Sequence, residues 1–335
     1  PLVPPVILEE GFRVPSAVKL DSLGRVHVAD LADGKVWRLN PSGPNEVLVE
    51  IEGTIDNIAF NDRDHLYIAA GPDNQIIRYT DQRTKALSQP GLGSPGGVAV
   101  SPDGTVWVAE FFALRGFEDS RKDWARSYYD RFDPPGTAFA GAQTVSADGD
   151  NLILSNGFSN SVQVLDPATD AILFDMRTLA APTNAIRHDG KLVAGQLAFG
   201  NVVNAADPAE VLLSGLAVPL GLASEGDTLY VGDWATGIVW AVDDSGASVL
   251  ASGLAFPEGL AIDGDRLLVV ETGAKQVTAV DLATGDTSAV VVGLDFTART
   301  PENFFPYGLV SGVAVDDNSI YVSDDGVNEV YKFRR

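Results

Sequence analysis

Apolar residues along this chain fall in short alternating runs separated by polar turns, and one such run recurs. It reads Pro, a variable residue, Gly, and then alternating apolar residues. A polar turn follows, and then an apolar run that ends in a small residue and an acid. The clearest copy is Pro257-Glu258-Gly259-Leu260-Ala261-Ile262, the turn Asp263-Gly264-Asp265-Arg266, and Leu267-Leu268-Val269-Val270-Glu271. Aligned copies begin at Pro15, Ile55, Pro95, Ala142, Pro182, Pro219 and Val310. The gap from the Gly position to the closing polar position is always 12 or 13 residues. Such constancy marks a repeat architecture.

Each copy has a second half. After the acid comes a glycine-containing loop, then a strand such as Lys35-Val36-Trp37-Arg38-Leu39 or Gly237-Ile238-Val239-Trp240-Ala241-Val242. Another turn leads to a last strand such as Ser248-Val249-Leu250-Ala251. Four short alternating strands per repeat of roughly 40 residues predict a propeller blade. We name the strands A to D from the innermost outward. The expectation is an all-β propeller of eight four-stranded blades forming one domain over 1–335. The last repeat stops after its third strand, at Tyr331-Lys332-Phe333. Leu8 to Pro15 has the spacing of Leu250 to Pro257, so residues 5–13 are expected to pair with the C-terminal blade and close the ring. Closure of this kind removes a free sheet edge.

The repeat overrides the two-domain prior that 335 residues would suggest. A formal charge of −23 opposes binding to a nucleic-acid backbone. No apolar run reaches the length of a membrane span, and none has the make-up of a signal peptide. Cysteine is absent, which excludes disulfides, a thiolate nucleophile and a cysteine zinc site. That absence fits either side of a bacterial membrane; a periplasmic or extracellular monomer is the expectation.

Propeller topology puts the B–C and D–A connections on one face, the top. The A–B turns on the other face are short: Asp21-Ser22-Leu23-Gly24, Ser101-Pro102-Asp103-Gly104 and Asp316-Asp317-Asn318-Ser319. They read as turn chemistry alone. Two aromatic, arginine-bearing insertions are expected on top, a B–C loop over about 111–132 and a D–A loop over about 294–308. Long loops in compact domains are usually functional, so both are expected as a lid. His65 and His188 fall in A–B turns and His27 within a strand, so none is expected to be catalytic. No Gly-x-Ser-x-Gly, His-Glu-x-x-His, phosphate-loop or EF-hand pattern is present.

Two rings of residues belong to the top. The variable residue of the phrase reads Ser16, Asp56, Gly96, Gln143, Thr183, Leu220, Glu258 and Ser311, with Asn57 and Asn184 in place of the Gly beside it. Acids at a channel mouth are costly unless solvated, paired or bound to a cation, which singles out Asp56 and Glu258. The ring that closes strand B reads Asp30, Ala70, Glu110, Asn156, Gln196, Asp233, Glu271 and Asp324. Most of it is expected to accept hydrogen bonds from the following turn. Glu110 and Glu271 suit a local turn less well, and they are the candidates for a general base.

The phrase Pro-x-Gly-Leu-Ala, a turn, and Leu-Tyr-Val-x-Asp resembles the NHL and SMP-30/gluconolactonase-like propellers, a broad group that includes virginiamycin B lyase and strictosidine synthase relatives. The resemblance covers the whole chain and lies mainly in the scaffold. It implies a divalent cation, Ca²⁺ or similar, over the channel, held by Glu258, Asp56 and Asn184, with Asn57 and Gln143 adding amide oxygens. Six blades in the lactonases, against eight repeats here, and the want of an equivalent to the lyase histidine are departures from that pattern. The leading expectation is a metal-assisted hydrolase of a lactone or related ester. Glu110 or Glu271 would be its base. Arg115, Arg126 or Arg299 would orient a small anionic substrate. Trp124, Tyr128, Trp234, Phe304 and Tyr307 would hold the substrate's apolar body. A lyase or cyclase using a channel-mouth carboxylate, and a non-catalytic binding propeller, are the alternatives.

Overall fold

The computed structural model describes residues 7–71, 75–88, 91–92, 95–110, 113–118, 121–127, 133, 136–297, 300, 311–324, 326–327 and 329–335. Every regular element among them is a β-strand. The strands form eight antiparallel sheets, seven with four strands and the last with three. Strand order in each sheet follows chain order. This is the all-β, eight-sheet arrangement that the repeat predicts. In the seventh sheet the phrase forms strand A, Pro257–Asp263, and the apolar run forms strand B, Arg266–Glu271. The chain divides into two compact units, Pro1–Leu92 with the first two sheets and Gly93–Arg335 with the other six.

In the second unit the A strands Pro95–Val100, Thr144–Asp148, Pro182–His188, Pro219–Glu225, Pro257–Asp263 and Val313–Val315 lie each beside the next. The last of them lies beside the first. The third to eighth sheets therefore close a ring among themselves. A channel of about 320 Å³ runs between the six A strands.

Strand B explains why each sheet packs on both neighbours. Successive side chains point to opposite faces. Leu152 and Leu154 face the third sheet, while Ile153 between them faces the fifth. Leu267 and Val269 face the sixth sheet, and Leu268 and Val270 face the eighth. A run apolar at every position is what a sheet buried on both faces requires. Each such side chain contributes about 1.5–3 kcal/mol on burial.

The Pro-x-Gly phrase does a different job. Strand A pairs out of register with strand B between Pro257 and Leu260, and likewise between Pro219 and Leu222 and between Pro182 and Ala185. The phrase is a β-bulge, which turns the variable residue out of the ladder and toward the next sheet. The Gly is there because backbone lies where a side chain would go. A Cβ on Gly259 would come within 2.7 Å of Ser311 O, and one on Gly312 within 2.6 Å of Val98 N. The second contact joins the eighth sheet to the third. Ser323 Oγ there also donates to Gly96 O.

In the first unit, Ile55, Ile58, Leu66 and Ile68 of the second sheet pack on Ala29, Val36 and Val49 of the first. Ser16 Oγ donates to Ile55 O at 3.0 Å, the same sheet-to-sheet bond that Thr183 Oγ1 makes to Pro219 O at 2.5 Å in the second unit.

Two expectations need correction. Residues 7–14 form no strand, and Glu329–Arg334 is the outer strand of its three-stranded sheet. The ring of the second unit closes by sheet packing at the Gly312–Val98 contact instead. The expected insertion at 111–132 is not a B–C loop. Its Ala113–Glu118 and Arg121–Ser127 are strands C and D of the third sheet. Of the second insertion, Leu294 and Phe296 are buried in the core between the seventh and eighth sheets, and 301–308 lie outside the described residues.

Gly312→Ala is expected to lower unfolding stability by about 1–3 kcal/mol, because backbone on both strands must move to admit the methyl group. Chemical denaturation checks this; an unchanged midpoint would contradict closure at the third-to-eighth-sheet contact.

Candidate functional site

The variable residues of the second unit sit where its A strands begin, at the top. Gln143, Thr183, Leu220, Glu258 and Ser311 are all buried. Glu258, at 0% exposure, accepts Ser311 N–H on Oε2 at 2.8 Å and the Thr272 hydroxyl on Oε1 at 3.1 Å. Thr272 Oγ1 also lies 3.2 Å from Phe256 O. Gln143 accepts Gly157 N–H on Oε1 at 2.6 Å, and its carbonyl accepts Gly97 N–H at 3.1 Å. Glu258, Thr183 and the Gln143 carbonyl each reach into the next or preceding sheet of the ring. The acid of this ring in the second unit is therefore paired with donors of its own ring.

Most of the residues that close strand B hold the preceding D–A connection, and Asp324 also accepts Gly326 N–H at 3.0 Å from the turn that follows it. Asp233 accepts Ala217 N–H and Val218 N–H at 3.0 and 2.8 Å, and Asp30 does the same for Arg13 and Val14 at 2.7 and 2.9 Å. Gln196 accepts Ala180 N–H at 2.7 Å, and Asp324 accepts Asp295 N–H at 2.8 Å. Asn156 keeps to the expected pattern, accepting Phe158 N–H at 2.9 Å from its own turn. Glu271, expected as a base, joins the loop-holding set. It accepts Ala255 N–H at 2.6 Å on Oε2, and Gln276 Nε2 at 3.0 Å and the Thr278 hydroxyl on Oε1.

Glu110, the other candidate base, is buried and forms an ion pair with buried Arg115 inside the third sheet. Arg126 reaches Asp170 at 2.6 Å, Asp133 at 3.2 Å and Thr137 O at 2.7 Å, and lies over the Phe139 ring. Both guanidiniums tie strands and loops of their own ring together, where a role in orienting substrate was expected. Trp124 meets Trp107 edge-on at 5.2 Å, and Trp234 is fully buried and stacked on Phe256 at 4.7 Å. Tyr128, Arg299, Phe304 and Tyr307 lie outside the described residues.

The expected cation ligands are divided between the units. Asp56 and Asn57 belong to the first and are exposed, with Asn57 Oδ1 accepting Ile58 N–H at 2.8 Å. Glu258, Gln143 and Asn184 belong to the second. Asn184 lines the channel, and Ser146 Oγ donates to its Oδ1 at 3.4 Å. Among the described residues no three His, Asp or Glu side chains converge as a metal site.

Sequence reasoning passed over two aromatics on the top face. Phe158 is 41% and Phe199 71% exposed, on the B–C loops of the successive fourth and fifth sheets. The available signal was an aromatic inside a glycine-containing loop that a short turn did not need. Thr272 was also missed, because a lone threonine after the closing acid carries no motif.

No family model matches the chain, and no curated protein matches it. Among solved structures it is similar to virginiamycin B lyase from Staphylococcus aureus, at 14% identity and a TM-score of 0.32, covering 98% of each chain. It is also similar to the computationally designed Ika8 protein, at 13% identity and a TM-score of 0.43, again over 98% of each chain. Likeness at this level carries nothing about chemistry.

Glu271→Gln places an NH₂ where an oxygen now accepts two or more donors. The expected cost is about 1–3 kcal/mol of stability. A melting curve on the purified variant checks it; unchanged stability would return Glu271 to the list of free carboxylates.

Proposed function

We propose that the chain is a non-catalytic, small-molecule-binding propeller, with its ligand seated on the top face beside Phe158 and Phe199. One observation carries this. Glu258, Glu271 and Glu110, the carboxylates that sequence reasoning chose for chemistry, each have oxygens committed to donors of their own ring. What that face adds beyond its scaffold is exposed aromatic surface. An aromatic side chain supplies large contact area at little entropic cost. The net charge of −23 favours a neutral or cationic ligand.

A second reading, a lyase or cyclase, is favoured by Glu258. Its carboxylate is wholly shielded from water and accepts the Ser311 N–H and the Thr272 hydroxyl, contacts that would fix the orientation of a proton acceptor. The metal-assisted hydrolase has less support, because Glu258, its best-matched ligand, is already held by donors of its own ring.

The test is thermal shift against a panel of neutral and cationic aromatic compounds, lactones and esters, followed by mass spectrometry of each stabilising compound. The expected result is a ligand recovered unchanged. A double variant, Phe158→Ala with Phe199→Ala, should weaken its shift while moving the unliganded melting temperature by no more than about 2 °C. Turnover that is lost in Glu258→Gln would establish the lyase reading instead. Turnover abolished by a chelator would restore the hydrolase.

A further inference from the structure

The lower end of the contact between the first two sheets is built differently from its apolar middle. His27, on strand B at Val26–Asp30, is 1% exposed. Its ring lies 4.7 Å from the ring of Phe60, at the end of strand A of the second sheet. Its Nδ1 is 3.0 Å from Arg25 O and its Nε2 is 3.8 Å from Asp21 Oδ2. Beside this pair the turns of the two sheets are clamped. Ser22 donates its N–H to Asp64 Oδ1 at 2.8 Å and its hydroxyl to Asp64 Oδ2 at 2.6 Å. Asp64 sits at φ 55°, a left-handed conformation that the clamp holds.

The charges around His27 decide what a proton would do there. Lys19 on strand A and Arg38 on strand C are its register partners on the same sheet, and Arg25 is on the adjoining turn. Asp21 faces the ring but is already committed, accepting from Arg25 Nε at 2.6 Å and from the Leu23 and Arg25 N–H groups at 3.0 Å each. Burial works against its ionisation, yet these hydrogen bonds hold it below the ordinary carboxylate range. From the second sheet come the uncharged Phe60 ring and, through Ser22, the Asp64 carboxylate. An imidazolium here would be a buried charge beside two cations, Arg25 and Arg38, facing an anion already paired with Arg25.

We propose that His27 makes the lower contact between the first two sheets an acid-released latch: neutral imidazole packs on Phe60 and keeps the Ser22–Asp64 clamp closed, and proton uptake loosens both. Burial is the main cause holding His27 below its ordinary pKa, with the charges of Arg25 and Arg38 adding to it and Asp21 opposing. A histidine depressed in the folded state takes its proton more readily in the open state. The latch is therefore strongest above about pH 6.5 and weakens as pH falls below that value.

Hydrogen exchange on the full chain tests this, with protection factors measured near pH 7.5 and near pH 5.5. Amides of 17–30 and 57–68 are expected to lose up to about tenfold in protection at the lower pH, while 144–165 and 182–204 hold theirs. The variant H27Q should abolish the difference. Equal protection of the first two sheets at both pH values, or the same loss in H27Q, would overturn the proposal. Should H27Q fail to fold, exchange of the imidazole C2 proton in the unaltered protein reports the His27 titration directly. A midpoint at or above about 6.5 would then overturn it, and a midpoint well below would support it.

Discussion

The second unit depends on two backbones approaching more closely than any side chain allows. Gly259 against Ser311, and Gly312 against Val98, bring inner strands of neighbouring sheets into contact. Close approach buries the free edges of those strands, and a buried edge group without a partner costs about as much as a lost hydrogen bond. The bulge at Pro-x-Gly resolves this by pointing the variable residue at the neighbouring sheet. Thr183 meets the carbonyl of Pro219, and Glu258 meets the N–H of Ser311. The variable position is thus polar so often because it completes the edge of its neighbour.

The same accounting governs the acids that end strand B. A D–A connection crosses the top of its sheet with N–H groups that no ladder reaches. A carboxylate at the end of strand B accepts two of them, as Asp233 does from Ala217 and Val218. Glutamate serves equally well where the loop stands a little farther off, since Glu271 reaches Ala255 N–H and still accepts from Gln276 and Thr278. Much of the acidity on this face is consequently structural.

The sheets were legible in the sequence because two signals agreed: apolar alternation with period two, and turn chemistry at fixed offsets. The third sheet was misread where those signals failed. Its outer strands contain Arg115 and Arg126, and a pattern that places charge outside takes such residues for a loop. Burial becomes tolerable only through Glu110 for one and through Asp170, Asp133 and Thr137 for the other. One of those partners, Asp170, lies far away in sequence, where periodicity cannot register it. The N-terminal match was misread for another reason. Phe12-Arg13-Val14-Pro15 does correspond to Leu254-Ala255-Phe256-Pro257, but the shared feature is the loop captured by the acid, Asp30 in one case and Glu271 in the other. It carries no information about a strand before it. The site candidates were chosen on the cost of a buried acid, and that cost is real; backbone N–H groups meet it in the ring, which no single-residue reading anticipates.

The first two sheets show what happens where the repeat is less regular. Their phrase has Ala17 and Asn57 where the third position is usually Gly, and the packing between them leans on side chains. The upper end keeps the Ser16–Ile55 bond, and the middle keeps its aliphatic cluster. The lower end replaces apolar contact with His27, Asp21, Arg25 and the Ser22–Asp64 pair. Aliphatic packing is indifferent to pH, whereas a histidine buried among fixed charges is not. Sensitivity to acid is therefore concentrated at one end of one contact. It arises from the same constraint that shapes the ring, because a polar group taken out of water must have its partners set in advance, and a proton changes which partners suffice.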